Sequence, residues 1–448
     1  MSVSRMSALT RLSTFFSGIS YVNRRFYRSF HVLRGSCVDH LAGRERKRSR
    51  FGDHCVLPRG VRVRTPGAAR SPDRVVMSSN TSLNPEESKG EDSASVKLVV
   101  IGDVHDQWGD EDEIALEYLQ PDVVIFVGDI GNENVELIRR IAALSLRKVV
   151  VLGNHDAWYS LTSRGRQRAI KAALQSSSLK NFSNNTDRIV EMLDCLGDDH
   201  IGYSVSSARD LGIALAGGRP FSKGGMHWSA VEDFYRTYYD VHSLDDSTTR
   251  ILDGFLDEAT SDLCLVVVAH NGPAGLGGNQ EDPCGIDFME PADDFGDPDL
   301  DDALDIASSC GRIASLVLFG HMHHTLKKGG YRNMVAVDES RGTVYLNAAV
   351  VPRVKTVQKG EDIEVKCRHF LQVGLADGQV QDAANVWVSV SHASENPAVC
   401  EIAEEEVILK RAASDENKDV SVVSFYKAYT GTWDHKIVPS IKTAYKNS

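Results

Sequence analysis

The chain has 448 residues, 42% of them hydrophobic and 25% charged, the balance of a soluble globular protein with one large or two ordinary domains. No uncharged apolar stretch is long enough to span a bilayer, which argues against an integral membrane protein. The eight cysteines include no C-x-x-C pair, so neither a zinc ribbon nor a disulfide framework is expected and a reduced compartment fits best.

The net charge of −12 divides unevenly along the chain. Through Arg74 there are 16 Lys and Arg against 4 Asp and Glu, whereas the remainder carries 34 against 58. Residues 1–76 are rich in Arg and Ser, poor in acids, and lack the continuous apolar core of a secretory signal; they read as an organellar transit peptide. A basic nucleic-acid arm is the alternative. The acidic body disfavours long nucleic acid, whose phosphates seek basic surfaces. Residues 77–96 are Ser-, Asn- and Glu-rich and read as a linker.

From Lys97 the pattern alternates between strand and helix. Apolar runs precede Gly102, Gly128, Gly153, Ala269 and Gly320, and each reads as a buried strand. Glu111 to Gln120 and Asn134 to Leu146 have helical spacing between the first three strands, which predicts β-α-β units and a largely parallel sheet. Arg164 to Leu179 reads as a basic surface helix and Ser247 to Thr260 as the helix feeding the fourth strand. Asp199 to Gly218 holds two short strands. Beyond the fifth run, Met334 to Val337, Thr343 to Asn347, Cys367 to Leu375 and Ala384 to Val390 predict a second sheet packed on the first. The domain is expected over 97–390, with 391–448 an extension of unknown role.

The five strand ends carry Gly102-Asp103-Val104-His105, Gly128-Asp129, Gly153-Asn154-His155-Asp156, Ala269-His270 and Gly320-His321-Met322-His323. Asp103, Asp129, Asn154, His105, His270, His321 and His323 supply two carboxylates, one amide and four imidazoles, all suited to first-row divalent metals. Ligands at the C-terminal ends of buried strands are where an α/β sheet builds a site. Two cations held close together need terminal ligands and one shared group, for which a carboxylate is the natural choice. Asn154 donates a neutral oxygen and leaves His155 beside the metals, where an imidazole can protonate a departing oxygen.

In this order the motifs resemble those of the calcineurin-like metallophosphoesterase superfamily, over roughly Lys97 to Val350. The resemblance implies a four-layer α-β-β-α sandwich with two mixed sheets. It implies one metal on Asp103, His105, Asp129 and His323, with Asp129 bridging to a second on Asn154, His270 and His321. His155 would be the general acid and Asp156 would orient its ring. The implied reaction is hydrolysis of a phosphomonoester or phosphodiester by a metal-bridging hydroxide, on a small phosphorylated substrate. A fold-only scaffold that has lost turnover is the alternative. After Asp129 the chain reads Ile130-Gly131-Asn132, without the tyrosine of purple acid phosphatases, so a purple Fe(III) site is not expected. Manganese, iron(II), zinc and magnesium stay open.

Asn271-Gly-Pro-Ala-Gly-Leu-Gly, Asp282-Pro-Cys-Gly-Ile-Asp and Gly217-Gly-Arg-Pro-Phe are similar to a cyanobacterial and plant branch of that superfamily, which implies a chloroplast destination, with the mitochondrion as alternative. Arg219, Lys223 and His227 lie in a Gly-rich stretch that reads either as a lip whose cations clamp substrate phosphate or as a solvated loop. The eleven acids between Glu281 and Asp305 are expected in a solvated surface loop. His324 is expected off the metals.

Overall fold

A computed structural model describes residues 95–175, 187–225, 227–338, 340–358, 364–391 and 399–411, with the backbone alone of 172–175, 422–427 and 432–437. The expected transit peptide, and the expected linker up to residue 94, lie outside the described residues.

The first half of the chain begins with β1 (Val96–Ile101), α1 (Asp110–Leu119), β2 (Val123–Phe126), α2 (Val135–Ala142) and β3 (Lys148–Val150). Next come α3 (Ser163–Gln175), α4 (Arg188–Leu196), β4 (Val205–Ala208), β5 (Ile213–Gly217), α5 (Glu232–Tyr239) and α6 (Leu244–Phe255). The second half contributes β6 (Cys264–Val268), α7 (Pro298–Ser309), β7 (Ala314–Phe319), β8 (Val335–Asp338) and β9 (Thr343–Asn347). It ends with β10 (Val354–Gln358), β11 (Glu364–Ala376), β12 (Gln379–Ser391), β13 (Val399–Lys410) and the hairpin β14 (Val422–Lys427) and β15 (Thr432–Ile437).

Helix starts follow local chemistry. Ser243 accepts from the Asp246 amide at the head of α6, Asp187 from the Ile189 amide at the head of α4, and Pro298 opens α7. In each case a side-chain oxygen or a missing N–H removes an unsatisfied donor from the first turn.

One sheet has the order β13-β12-β11-β1-β2-β3, with β10 on β11; the other is β4-β5-β6-β7-β9-β8. Within them β1-β2-β3 and β5-β6-β7-β9 run parallel, and their flanking partners antiparallel. The period-two alternation of buried side chains divides these strands into three apolar layers. Leu98, Val100, Ile125 and Val149 meet Val266, Val268, Leu316, Leu318 and Leu346 between the sheets. Val99, Ile101, Val124 and Phe126 face α1, α2, α4 and α5. Leu265, Val267, Val317 and Phe319 face α6 and α7. The result is the four-layer α-β-β-α sandwich with two mixed sheets.

The late strands do not form a sheet of their own, contrary to expectation. β8 and β9 complete the sheet of β5 to β7, and β11 and β12 complete that of β1 to β3. Alternation identifies a strand but leaves its partner open. The limit drawn at residue 390 falls within β12, and β13 extends the same sheet beyond it. The helices α4, α5 and α7 and the strand β10 were not read from the sequence. Their apolar faces are short, and aromatics in α5 and acids in α7 obscure the period.

Candidate metal centre

All five motifs leave strand ends of the two sheets at one edge of the sandwich. β1, β2 and β3 deliver Asp103, His105, Asp129, Asn154 and His155; β6 and β7 deliver His270, His321 and His323. The loops are laced together through their backbones. The amide of His105 donates to the Asp129 carbonyl at 2.8 Å, and that of Gly320 to the His270 carbonyl at 2.8 Å. Asp103, His105, Asp129 and His321 all have positive φ, between 38° and 68°. Such backbone costs on the order of 1–3 kcal/mol per residue and concentrates at functional sites. Gly153 is required by close approach, since a Cβ there would lie 2.4 Å from Asp129 Oδ1.

The side chains converge in overlapping sets. Asp103, His105 and His323 form one, and Asp129, His270 and His321 another, each with its donor atoms within 4.8 Å of one another. A third set, His105, Asp129 and His155, overlaps both, so Asp129 lies between the first two. His323 Nε2 is 3.2 Å from Asp103 Oδ2 and 3.1 Å from His105 Nε2. His270 Nε2 is 3.3 Å from Asp129 Oδ1 and 3.1 Å from Asn154 Oδ1. His270 Nδ1 donates to the Val127 carbonyl at 2.8 Å, which fixes the tautomer and turns the Nε2 lone pair inward.

Electrostatics favour a cation at this point. Burial pushes His105 and His321 below the usual imidazole range, and takes His155 down to about 4 with help from the His105 charge. Burial raises the Asp129 carboxyl, the charge of Asp103 adding to the effect. Burial works against ionisation of Asp103 too, but contact with His323 and the nearby imidazoles hold it well below its usual value. Burial thus favours the neutral imidazole at His105, His155 and His321, whereas at His323 the contact with Asp103 outweighs burial and raises the imidazole. Asp103 Oδ2 is buried with no well-aligned hydrogen bond, its near neighbour being His323 Nε2 at 3.2 Å. Buried lone pairs of this kind are costly unless a cation satisfies them, so the donor set fits divalent metals.

Asp156 does not orient His155. Its Oδ1 accepts from the amides of Ile130 and Gly131 at 2.9 and 3.1 Å, and its Oδ2 from the Gly153 amide at 2.8 Å. Burial, then the charge of Asp129, pushes its carboxyl up to about 7. It staples the second motif loop to the third. The residue that holds His155 is Asn132, whose Oδ1 lies 2.7 Å from His155 Nδ1. Trp158 stacks on the same imidazole at 4.4 Å and 24°. His155 Nε2 is left facing Asp129 Oδ2 at 3.9 Å. In the sequence the signal for Asn132 is its place three residues after Asp129.

Arg219 is not on a lip. It is 3% exposed, with Nη2 2.7 Å from Asp297 and Nε 2.9 Å from Asp299, which leaves it no free face for a substrate phosphate. Lys223 and His227 are exposed on the loop that follows. The acidic run is solvated only in part: Glu281, Glu290, Asp293, Asp302 and Asp305 are exposed. Asp297, Asp299 and Asp287 are buried. Asp287 lies 3.6 Å from Arg332 and Asp294 accepts from the Gly275 and Gly296 amides. Counting acids missed this because their partners Arg219 and Arg332 are distant in sequence. His324 stands off the centre, stacked on Tyr331 at 4.7 Å.

Comparison with known proteins agrees with this geometry. The model of the family described as calcineurin-like phosphoesterase matches residues 96–325, just over half the chain. A search of curated proteins finds no match. Among solved structures, a dimetal phosphatase from Danio rerio is 12% identical, the match covering 69% of this chain and 99% of that one at a TM-score of 0.33. A protein from Thermus thermophilus is 9% identical over 59% of this chain and 93% of its own, at 0.32. A metallophosphoesterase from Sphaerobacter thermophilus is 13% identical over 62% and 82%, at 0.25. Resemblances this weak establish no closer kinship than the family match does. On that match, and with its motif residues gathered at one edge of the sandwich, the chain belongs to the calcineurin-like phosphoesterase family.

Proposed function

We propose that this protein hydrolyses a small phosphoester at a binuclear metal site. Asp103, His105 and His323 would hold one divalent cation, and Asn154, His270 and His321 the other, with Asp129 shared. The observation that carries this reading is the position of Asp129 between two sets of donors whose lone pairs converge. The cations, when bound, would supply Lewis acidity at a phosphoryl oxygen and lower the pKa of a nearby water.

The protein's own groups would do the rest. The two imidazole sets and the shared carboxylate fix where the phosphoryl group rests. His155, its Nδ1–H on Asn132 and its ring on Trp158, presents Nε2 to that position. Burial keeps the ring neutral in the free protein. The negative charge of an arriving ester favours the imidazolium, which can then give its Nε2 proton to the leaving oxygen.

Manganese, iron(II), zinc and magnesium all suit this mixed oxygen and nitrogen set. The Arg- and Ser-rich segment up to Arg74 supports import into an organelle, and the likeness of Asn271–Gly277 to a plant branch favours the chloroplast over the mitochondrion, a choice that a fluorescent fusion would test.

The test of function is turnover of p-nitrophenyl phosphate and of its bis ester by protein loaded with Mn²⁺. Hydrolysis of at least one is expected, and chelation should abolish it. His155→Ala should lower kcat by about 10²- to 10⁴-fold while elemental analysis still finds two metals per chain. Inactivity of the metal-loaded protein on both esters would sink the reading, and full activity of the variant would remove His155 from its role.

A further inference from the structure

We propose that Phe288, Met289 and Phe295 form a rim that binds a planar aromatic group on the organic side of the ester. This inference rests on the phosphoester reading above and deepens it.

The rim belongs to the segment 272–295 between β6 and α7, which metal binding does not use. The segment is fastened to the last metal motif. Arg332 is 3% exposed. Its Nη1 donates to the carbonyls of Gln280, Asp282 and Gly285 at 2.8, 2.7 and 2.7 Å, and its Nε donates to the His323 carbonyl at 3.0 Å. One buried guanidinium therefore joins the loop and the motif backbone, and it fixes where the loop's side chains stand relative to His321 and His323.

From His321 a run of rings leads outward. Phe295 stacks on His321 at 5.9 Å and 17°, and Phe288 meets Phe295 edge to face at 5.5 Å. Gly224 leaves room for the Phe295 ring, since a Cβ there would lie 2.6 Å from its Cδ1. The outer end of the run is open: Phe288 is 43% and Met289 58% exposed. The ammonium of Lys327 lies 5.4 Å from the Phe288 centroid.

Ligand sites are lined by apolar and aromatic side chains around a few polar groups, and adjoining exposed apolar side chains beside a polar centre have that composition. Continuity with His321 identifies the occupant here. A phosphoryl group held at His321 would direct what is esterified to it along these rings. Lys327 adds positive charge that suits an anionic ester. A flat π-system gains from ring stacking and from the Met289 thioether, whereas a short alkyl group reaches neither.

Phosphonates test this without the complication of leaving-group reactivity. The full chain, loaded with Mn²⁺, is titrated calorimetrically with phenylphosphonate and with methylphosphonate. Phenylphosphonate should bind roughly tenfold tighter. Phe288→Ala should erase that preference while methylphosphonate affinity stays within about twofold; the side chain is exposed, so the variant should fold. Equal affinities in the wild type, or a preference that survives Phe288→Ala, would overturn the rim and leave the phosphoester reading standing. If the metal-loaded protein binds neither phosphonate, that reading falls, and the rim with it.

Discussion

The orienting role that Asp156 was expected to fill at His155 falls to Asn132, and Asp156 binds backbone instead. The Asn132 amide oxygen accepts from Nδ1–H, and the Asp156 carboxylate accepts from three backbone amides. The arrangement sets the tautomer of His155 through a neutral partner. Removing a group that orients a ring in this way typically costs about 10- to 100-fold. Asn132→Ala is therefore expected to lower kcat by about that factor with metal content unchanged, and Asn132→Asp to keep the orientation and most of the rate. An unaltered rate in Asn132→Ala would mean that the Trp158 stack alone positions the ring.

At the scale of elements, the loop after β5 and the start of α7 are joined by one buried ion cluster. Arg219 lies between Asp297 and Asp299, and Ser222 Oγ donates to Asp297 at 2.7 Å. Burial raises Asp297 to about 6 even though Arg219 opposes the shift, so the pair depends on the guanidinium. Truncating one partner of a buried pair leaves the other charge unpaired, at a cost of about 3–5 kcal/mol. Arg219→Ala should show a destabilisation of that order in urea unfolding. A substrate clamp would give the opposite pattern, a raised KM with stability intact.

For the molecule as a whole, two neutral histidines, one buried and one partly buried, should make stability fall in acid. His369 on β11 donates to Asn385 Oδ1 at 2.9 Å and is 2% exposed. Burial takes its imidazole down to about 3. His200 precedes Ile201, whose amide donates to the Val150 carbonyl at 3.0 Å and so ties the first sheet's edge to the segment leading into the second. Its Nε2 is buried without a partner, and burial holds it at about 4. Both values lie below the unfolded value of 6.5, so the unfolded chain binds more protons in this range. Their contribution is complete above about pH 6.5 and is lost as pH falls toward 4 and then 3. The melting temperature of chelator-treated protein should decline across that window, and less steeply in His369→Gln.

Much of this was legible in the sequence because it depends on local order. Runs such as Val123-Val-Ile-Phe-Val fix a buried strand, and the residue that follows the run is placed at its end whatever the neighbours. That determined the strand ends and the residues that would meet there: Asp103, His105, Asp129, Asn154, His155, His270, His321 and His323. It could not determine which strand lies beside which, because partners satisfy the same backbone hydrogen bonds in many orders. Only the tertiary structure divided the motifs between two sheets and set Asp129 between two donor sets. Only it turned Asp156 to the backbone and Asn132 to His155, and drew Arg219, Asp297 and Asp299 inside. These are pairings between side chains far apart in sequence, where desolvation is recovered only when a particular partner arrives. A chain read residue by residue names its charges and ligands; their partners are decided when the two sheets pack.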